Sequence, residues 1–183
     1  MHQLPNILTV IRILLVIPFA YLTLNESYRV AFWVFVFAGV SDAVDGFLAR
    51  QFHWRSRFGE IADPIADKLL LVTTYVALTW VGVIPVWVVA LIFGRDFVIV
   101  VGGLLYHYRL GKFEIEPSIW GKACTFTQIA YVVLLLTQLA GYIDVEPFLE
   151  YGIHLVVFVT LFSGTHYIIV WAQRAQKALK AKT

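Results

Sequence analysis

SDAVDGFLARQFHWRSRFGEIADPIADK, residues 41–68, links two apolar segments and carries four aspartates at helical spacing. Asp42 and Asp45 are three residues apart, so they share one face of a helix. Asp63 and Asp67 are four residues apart and share one face of the next helix. Two helices joined by a short loop lie antiparallel as neighbours. Facing stripes would therefore bring four carboxylates together near one end of a helical bundle.

Such a group of carboxylates needs compensating charge, because each loses solvation and repels the others. All-oxygen ligands suit Mg²⁺, Mn²⁺ or Ca²⁺, and Mg²⁺ completes its shell with water and substrate phosphate. The pattern therefore predicts bound Mg²⁺ or Mn²⁺ together with a diphosphate ligand. Arg50 would add positive charge for the diphosphate oxygens, and Gly46, Ala49 and Gly59 lack bulk where a base or ribose would approach. Purely structural pairing with Lys or Arg is the alternative, which four aspartates at this spacing disfavour.

The composition predicts a membrane protein. Of the 183 residues, 60% are hydrophobic and 14% are charged, and the mean hydropathy is +0.79. A soluble domain has about a quarter of its residues charged, so we expect one all-α membrane domain over residues 1–183 with six transmembrane helices. The third predicted span is apolar only from Leu69 onward. The six spans are predicted at Ile7–Leu24, Val30–Ala49, Gly59–Gly82, Ile84–Tyr106, Ile119–Ala140 and Tyr151–Ala172.

Loop charges predict the orientation. Basic residues follow the second, fourth and sixth spans, whereas the loop before the sixth span is assigned Asp144, Glu146 and Glu150. The positive-inside rule then places both termini, and the loop between the second and third spans, in the cytoplasm. The start lacks the features of a signal peptide, so we expect the first apolar segment to stay as a span. A net charge of +2 is too small to indicate nucleic-acid binding, and the single Cys124 excludes an internal disulfide.

The motif carries a family resemblance. Asp42, Asp45, Gly46, Ala49, Arg50, Gly59, Asp63 and Asp67 fit D-x2-D-G-x2-A-R-x8-G-x3-D-x3-D at every specified position. In these residues the chain resembles the CDP-alcohol phosphotransferase family. The resemblance implies a six-helix membrane fold, usually a homodimer, with its site open to the cytoplasm, and we expect a bacterial inner membrane.

The resemblance also implies roles. Asp42, Asp45 and Asp63 would bind metal, and Asp67 would complete that cluster and act as general base. The CDP moiety would be held by Asp42, Gly46, Ala49, Arg50 and Gly59. The implied reaction transfers the phosphatidyl group of CDP-diacylglycerol to an alcohol with release of CMP. A small cation transporter that uses the four aspartates as an ion site is the alternative from another class.

Polar residues outside the motif are weaker candidates for binding the acceptor or a phosphate. Asn6, Thr9 and Arg12 are spaced by three and share a helix face, and Arg12 would either reach donor phosphates or snorkel to headgroups. Arg95 precedes Asp96 half-way along the fourth span, and an ion pair at that depth usually belongs to a site. Lys122 opens the fifth span, where it would bind an acceptor phosphate or face headgroups.

Two branches of the family share these flanking residues. One is the CMP-forming cardiolipin synthases, whose acceptor is phosphatidylglycerol, and the other is the phosphatidylglycerophosphate synthases, whose acceptor is glycerol 3-phosphate. The Arg95-Asp96 dipeptide is more similar to the cardiolipin branch, whereas Gly121 before Lys122 is common in the other. We therefore expect phosphatidylglycerol as the acceptor, with glycerol 3-phosphate as the alternative.

Overall fold

The computed structural model describes residues 4–52, 57–110 and 118–180, and it describes side chains for 7–47, 51–52, 59, 62–104 and 118–173. The described residues form six α-helices and contain no strand, which confirms the predicted all-α class. In chain order the helices are α1 Leu4–Leu24, α2 Tyr28–Gln51, α3 Arg57–Trp80, α4 Val86–Leu110, α5 Ile119–Leu139 and α6 Glu146–Lys180.

Two of these helices are followed by a glycine in a left-handed conformation. Gly82 has a φ of 79° and follows α3, and Gly141 has a φ of 69° and follows α5. Glycine adopts this conformation without the steric cost that a Cβ would add. The third predicted span was therefore too long at its end, because α3 stops at Trp80. The fourth was too long at its start, because α4 begins only after Pro85.

The last helix is longer than predicted. It has 35 residues and begins at Glu146, so Glu146 and Glu150 belong to α6 and their assignment to the preceding loop was wrong. Acidic side chains are favourable in the first turn of a helix, where they face the positive end of its dipole. Pro147 is also tolerated there, because the backbone N–H that it lacks would have no partner within the helix.

Five of the six helices, α1, α2, α4, α5 and α6, are long and apolar enough to cross a membrane. Helix α3 is the exception, because Asp63, Asp67 and Lys68 lie in its N-terminal half. The described residues therefore support a multi-pass membrane protein with five apolar spans. A sixth span through α3 and cytoplasmic termini remain predictions.

The chain divides into two compact units. The first comprises Met1–Pro85 and Val132–Val145, and the second comprises Val86–Tyr131 and Glu146–Thr183. In the first unit α1 packs against both α2 and α3. Buried alanines, including Ala38 and Ala66, allow these helices to approach closely. In this way α1 lies against the two helices that carry the aspartate motif.

The second unit is built on packing of α4 against α6. Here glycines lie against aromatic rings. A Cβ at Gly102 would overlap the indole ring of Trp171, and a Cβ at Gly152 would lie 2.9 Å from Tyr131 Cδ2. Glycine at these two positions therefore permits close contact between each helix and a large side chain.

Candidate active site

The centre of the first unit is an arginine surrounded by the motif aspartates. The Arg12 side chain, on α1, is 1% exposed. Its Nη1 lies 2.7 Å from Asp42 Oδ1 and donates to Asp67 Oδ1 at 2.8 Å. Its Nη2 donates to Asp45 Oδ2 at 2.7 Å. A planar guanidinium presents several donors in a fixed fork, and here that fork gathers carboxylates from two helices around one point.

The fourth aspartate is also held by α1. Thr9, three residues before Arg12 on the same face, donates from Oγ1 to Asp63 Oδ1 at 2.5 Å. Both Thr9 and Arg12 are fully buried. A buried charged or hydroxyl group is costly unless its donors are used. The polar face of α1 therefore brings all four aspartates of the motif together.

Solvent access differs among the aspartates. The Asp45 side chain is 3% exposed, whereas the side chains of Asp42 and Asp67 are 39% and 51% exposed. Asp63 is half-buried. The cluster thus has a closed side at Asp45 and an open side at Asp42 and Asp67, and a ligand that enters from outside would meet the open side first.

One reading of Arg12 was wrong. It cannot snorkel to headgroups, because its side chain is buried and held by carboxylates from α2 and α3. Contact between Arg12 and donor phosphates remains a prediction. Sequence reasoning placed Thr9 and Arg12 on one face but missed that this face meets the aspartates, since nothing local in the sequence pairs residues 33 to 55 positions apart.

The other predicted residues of the CDP site are placed less completely. Gly46 is half-buried on α2, and Gly59 is buried on α3. Ala49 and Arg50 lie on α2 and Asn6 lies on α1, but their side chains are outside the described residues. The contacts of these three with a nucleotide or an acceptor remain predictions.

The donor set fits a hard divalent cation in kind, because carboxylate oxygens are the ligands that Mg²⁺ and Mn²⁺ prefer. Among these described side chains the negative charges outnumber the positive one, since Arg12 contacts three of the aspartates and the fourth, Asp63, is bound by the neutral Thr9. Within the described residues, however, no group of three or more acidic, His or Cys side chains is arranged to hold a metal ion. Three of the carboxylates lie around the Arg12 guanidinium, and this spacing explains why the described residues form no such metal-binding group.

A second arginine, which is partly buried, organises the other unit. Arg95, on α4, donates from Nη1 to Asp96 Oδ1 at 2.9 Å and from Nη2 to Ser163 Oγ at 2.6 Å. Its guanidinium carbon lies 5.6 Å from the centre of the Tyr167 ring, within the range of a cation–π contact. Tyr167 Oη accepts a hydrogen bond from the backbone N–H of Ser118 at 3.0 Å. Arg95 is thereby fixed between α4, α6 and the start of α5.

Sequence reasoning singled out Arg95 and Asp96 but missed Ser163 and Tyr167. The available signal was their spacing of four on α6, which places a hydroxyl and a phenol on one face of an apolar helix. Lys122 is exposed, which agrees with either of its predicted roles. Cys124 is buried on α5.

Comparison with known proteins identifies the family. Residues 2–173 match the family model named CDP-alcohol phosphatidyltransferase. The chain belongs to this family. The resemblance carried by the aspartate motif is thus confirmed over most of the chain.

Proteins similar to this chain carry three different names. The chain is 38% identical over 149 residues to human cardiolipin synthase (CMP-forming), covering 73% of this chain and 50% of that protein. It is 33% identical over 183 residues to the CDP-diacylglycerol–glycerol-3-phosphate 3-phosphatidyltransferase of Bacillus subtilis, covering 91% and 94%. It is 32% identical over 174 residues to a probable phosphatidylglycerophosphate synthase of Mycobacterium tuberculosis, covering 91% and 80%. The chain spans about half the length of the human and rat cardiolipin synthases.

Proposed function

We propose that this chain transfers the phosphatidyl group of CDP-diacylglycerol to an alcohol and releases CMP. The observation that carries the proposal is the convergence of Asp42, Asp45 and Asp67 on one point, at the positions of the family motif. Membership of a family of phosphatidyltransferases favours this chemistry over cation transport.

In the proposed step the acceptor hydroxyl oxygen forms a bond to the phosphorus that bears the lipid. The bond from that phosphorus to the bridging oxygen of CMP breaks, and its electron pair leaves with CMP. The hydroxyl proton passes to Asp67, which is half-exposed and therefore able to return it to water. A carboxylate at this place contributes by orienting the hydroxyl as well as by accepting its proton.

Mg²⁺ or Mn²⁺ would be held by Asp42, Asp45, Asp63 and Asp67 and would supply positive charge for the phosphate oxygens. Next to this cluster, Gly46 and Gly59 would allow the nucleotide to approach the backbone of α2 and α3. Asp42, Ala49 and Arg50 complete the proposed CDP site.

For the acceptor we propose phosphatidylglycerol, so that the product is cardiolipin. Support comes from the Arg95-Asp96 dipeptide and from the similarity to human cardiolipin synthase. Glycerol 3-phosphate is the second candidate. Its support is the Bacillus subtilis relative, which matches over nearly the whole length of both chains. Arg95 and the exposed Lys122 are the cations proposed for either acceptor's phosphate, with Asn6 as a further polar candidate, whereas the buried Thr9 hydroxyl is used by Asp63.

The proposed arrangement in the membrane follows from the loop charges. Six spans would place both termini and the aspartate cluster on the cytoplasmic side, in a bacterial inner membrane. We also propose that the chain functions as a homodimer.

The test is product identification with purified protein in detergent or nanodiscs. CDP-diacylglycerol is supplied with equal amounts of phosphatidylglycerol and glycerol 3-phosphate, in Mg²⁺, in Mn²⁺ and in excess EDTA. We expect CMP release and cardiolipin by mass spectrometry, with loss of both in EDTA. Formation of phosphatidylglycerophosphate alone would replace the first acceptor by the second. Absence of CMP with every alcohol and metal would overturn the proposal.

A further inference from the structure

We infer that Arg12 is the resident counter-ion of the aspartate cluster and that it competes with the divalent metal for the same carboxylate oxygens. The inference rests on the proposed function in one respect, namely that the four aspartates bind a divalent metal. It assigns to Arg12 a positioning role: the guanidinium holds the metal-free cluster in shape and is released from it when the metal binds.

The atoms that Arg12 uses are the first ground for this role. Its two terminal nitrogens lie 2.7 to 2.8 Å from Asp42 Oδ1, Asp45 Oδ2 and Asp67 Oδ1. A metal bound by these three residues through the same oxygens would occupy the space of the guanidinium. The two cations therefore exclude each other from that position.

The burial of Arg12 is the second ground. Its side chain is 1% exposed, and within the described part of the chain its Nε has no hydrogen-bond partner. The guanidinium is thus held through its terminal nitrogens by carboxylates, with its Nε donor unused. A buried arginine that has lost water gains most of its stabilisation from such partners, so the ion pairs to α2 and α3 stabilise the metal-free protein.

The charge balance is the third ground. Among the described side chains of this cluster, four carboxylates and one guanidinium carry a formal net charge of −3, which favours entry of a divalent cation. Arg12 supplies enough charge to keep the carboxylates together but not enough to neutralise them. The arrangement therefore accepts a metal by exchange, in which one cation replaces another.

Direct measurement of Mn²⁺ binding tests the exchange. Purified wild type and Arg12→Gln are titrated with Mn²⁺ alone, and free Mn²⁺ is followed by electron paramagnetic resonance. We expect Arg12→Gln to bind Mn²⁺ at least about tenfold more tightly, because an adjacent arginine lowers the proton affinity of a carboxylate by about one to three powers of ten and should oppose a bound metal cation in the same direction. In EDTA the same variant should unfold at a lower temperature than wild type, and Mn²⁺ should restore more of the loss.

The matched control is Arg95→Gln, which removes a partly buried arginine paired with a carboxylate outside the aspartate cluster. It should lower the unfolding temperature without raising the Mn²⁺ affinity. If Arg12→Gln does not fold, Arg12→Lys is used in its place. It keeps the positive charge with fewer donors and should bind Mn²⁺ more tightly than wild type by a smaller factor.

Wild-type protein provides a second readout that is independent of activity. In ¹⁵N-arginine-labelled protein without metal, the Arg12 guanidinium protons should exchange slowly with water because they are buried and bonded. Addition of diamagnetic Mg²⁺ should shift this signal and remove its protection. An Arg12 signal that stays in place and protected while Mg²⁺ binds would overturn the exchange, as would equal or weaker Mn²⁺ binding by Arg12→Gln.

These outcomes separate the inference from the proposed function. If wild type releases CMP and binds Mn²⁺ but the Arg12 variants bind it no more tightly, the inference is wrong and the function stands. If the variants bind Mn²⁺ more tightly and no alcohol yields CMP, the inference stands and the function is wrong. If wild type binds no divalent metal, the inference is overturned together with the proposed metal site.

Discussion

Each of the two units of this protein contains an arginine paired with a carboxylate, fully buried at Arg12 and partly buried at Arg95, and the two arginines have different surroundings. Arg12 contacts three carboxylates that lie 30 to 55 positions away in the sequence. Arg95 contacts one carboxylate, that of the next residue, together with the Ser163 hydroxyl and the Tyr167 ring. The first arrangement has a surplus of negative charge, whereas the positive charge of Arg95 is balanced by a single carboxylate among the described residues.

This difference indicates different ligands. A site with surplus carboxylates attracts cations, and the proposed reaction needs cations next to a diphosphate. An arginine paired once and oriented by neutral groups keeps donor capacity for an anion, since a guanidinium has five N–H groups. This difference is consistent with the proposal that the first unit binds metal and donor and that Arg95 of the second binds the acceptor's phosphate.

The largest expected effect comes from the aspartate cluster. Asp67→Asn keeps the size of the side chain but removes the proposed base, so we expect the rate of CMP release to fall by about a hundredfold or more. The measurement is CMP release at saturating CDP-diacylglycerol and acceptor. Glu150→Gln, an exposed acid on α6, serves as the control and should keep the wild-type rate. An Asp67→Asn enzyme within a few-fold of wild type would remove Asp67 from the chemistry.

The aspartate cluster also shows how far sequence can predict a site. The pairing of aspartates on each helix was predictable, because residues three or four apart share a face. The residues that contact the two pairs of aspartates were not predictable, since they depend on how α1 packs against α2 and α3. Asn6, Thr9 and Arg12 were recognised as one face, but only the packed structure shows that Thr9 and Arg12 meet acidic side chains.

The fold shows a similar division. The sequence predicted all six helices, although hydropathy alone supports only five of them as membrane spans. Hydropathy located the ends of α6 poorly, because it detects only the apolar part of a helix. Helix α6 continues beyond its apolar part at both ends, from Glu146 to Lys180. Helix α3 has a mixed composition, because the half that carries the aspartate motif is the half that departs from an apolar span.

An intermediate effect is expected at Arg95. Replacing it with Gln removes a charge that is proposed to bind the acceptor's phosphate, so the KM for the acceptor should rise about tenfold, which corresponds to loss of a charge-assisted hydrogen bond. The KM for CDP-diacylglycerol should stay within about twofold of wild type, because the proposed donor site lies in the other unit. Both constants are obtained from initial rates of CMP release with one substrate varied.

Arg95→Lys gives the accompanying control, since it keeps the charge and loses the fork that reaches Asp96 and Ser163. A partial recovery of acceptor KM would support binding by charge. If both variants raised the two KM values equally, Arg95 would be supporting the fold and the division of ligands between the units would be wrong.

The smallest effect on turnover, and a clear one on stability, is expected from helix packing. Gly39 in the first unit has open space where a Cβ would be, whereas Gly102 in the second lies against an aromatic ring. Replacing glycine by alanine should therefore change the free energy of unfolding in opposite directions at the two positions. Gly102→Ala should lower the free energy of unfolding by about 1–3 kcal/mol, because its Cβ meets the Trp171 ring and forces it aside. Gly39→Ala on α2 meets nothing within 4 Å and should raise it by up to about 1 kcal/mol through helix propensity.

Thermal unfolding in detergent measures both glycine variants, and CMP release per folded molecule should stay near wild type in each. Equal destabilisation by the two variants would show that the contact between Gly102 and Trp171 needs a glycine no more than the open helix surface at Gly39 does. A large loss of turnover in folded Gly102→Ala would have a different meaning. It would show that the packing of α4 against α6 positions Arg95, since Arg95 lies on α4 and bonds to Ser163 on α6.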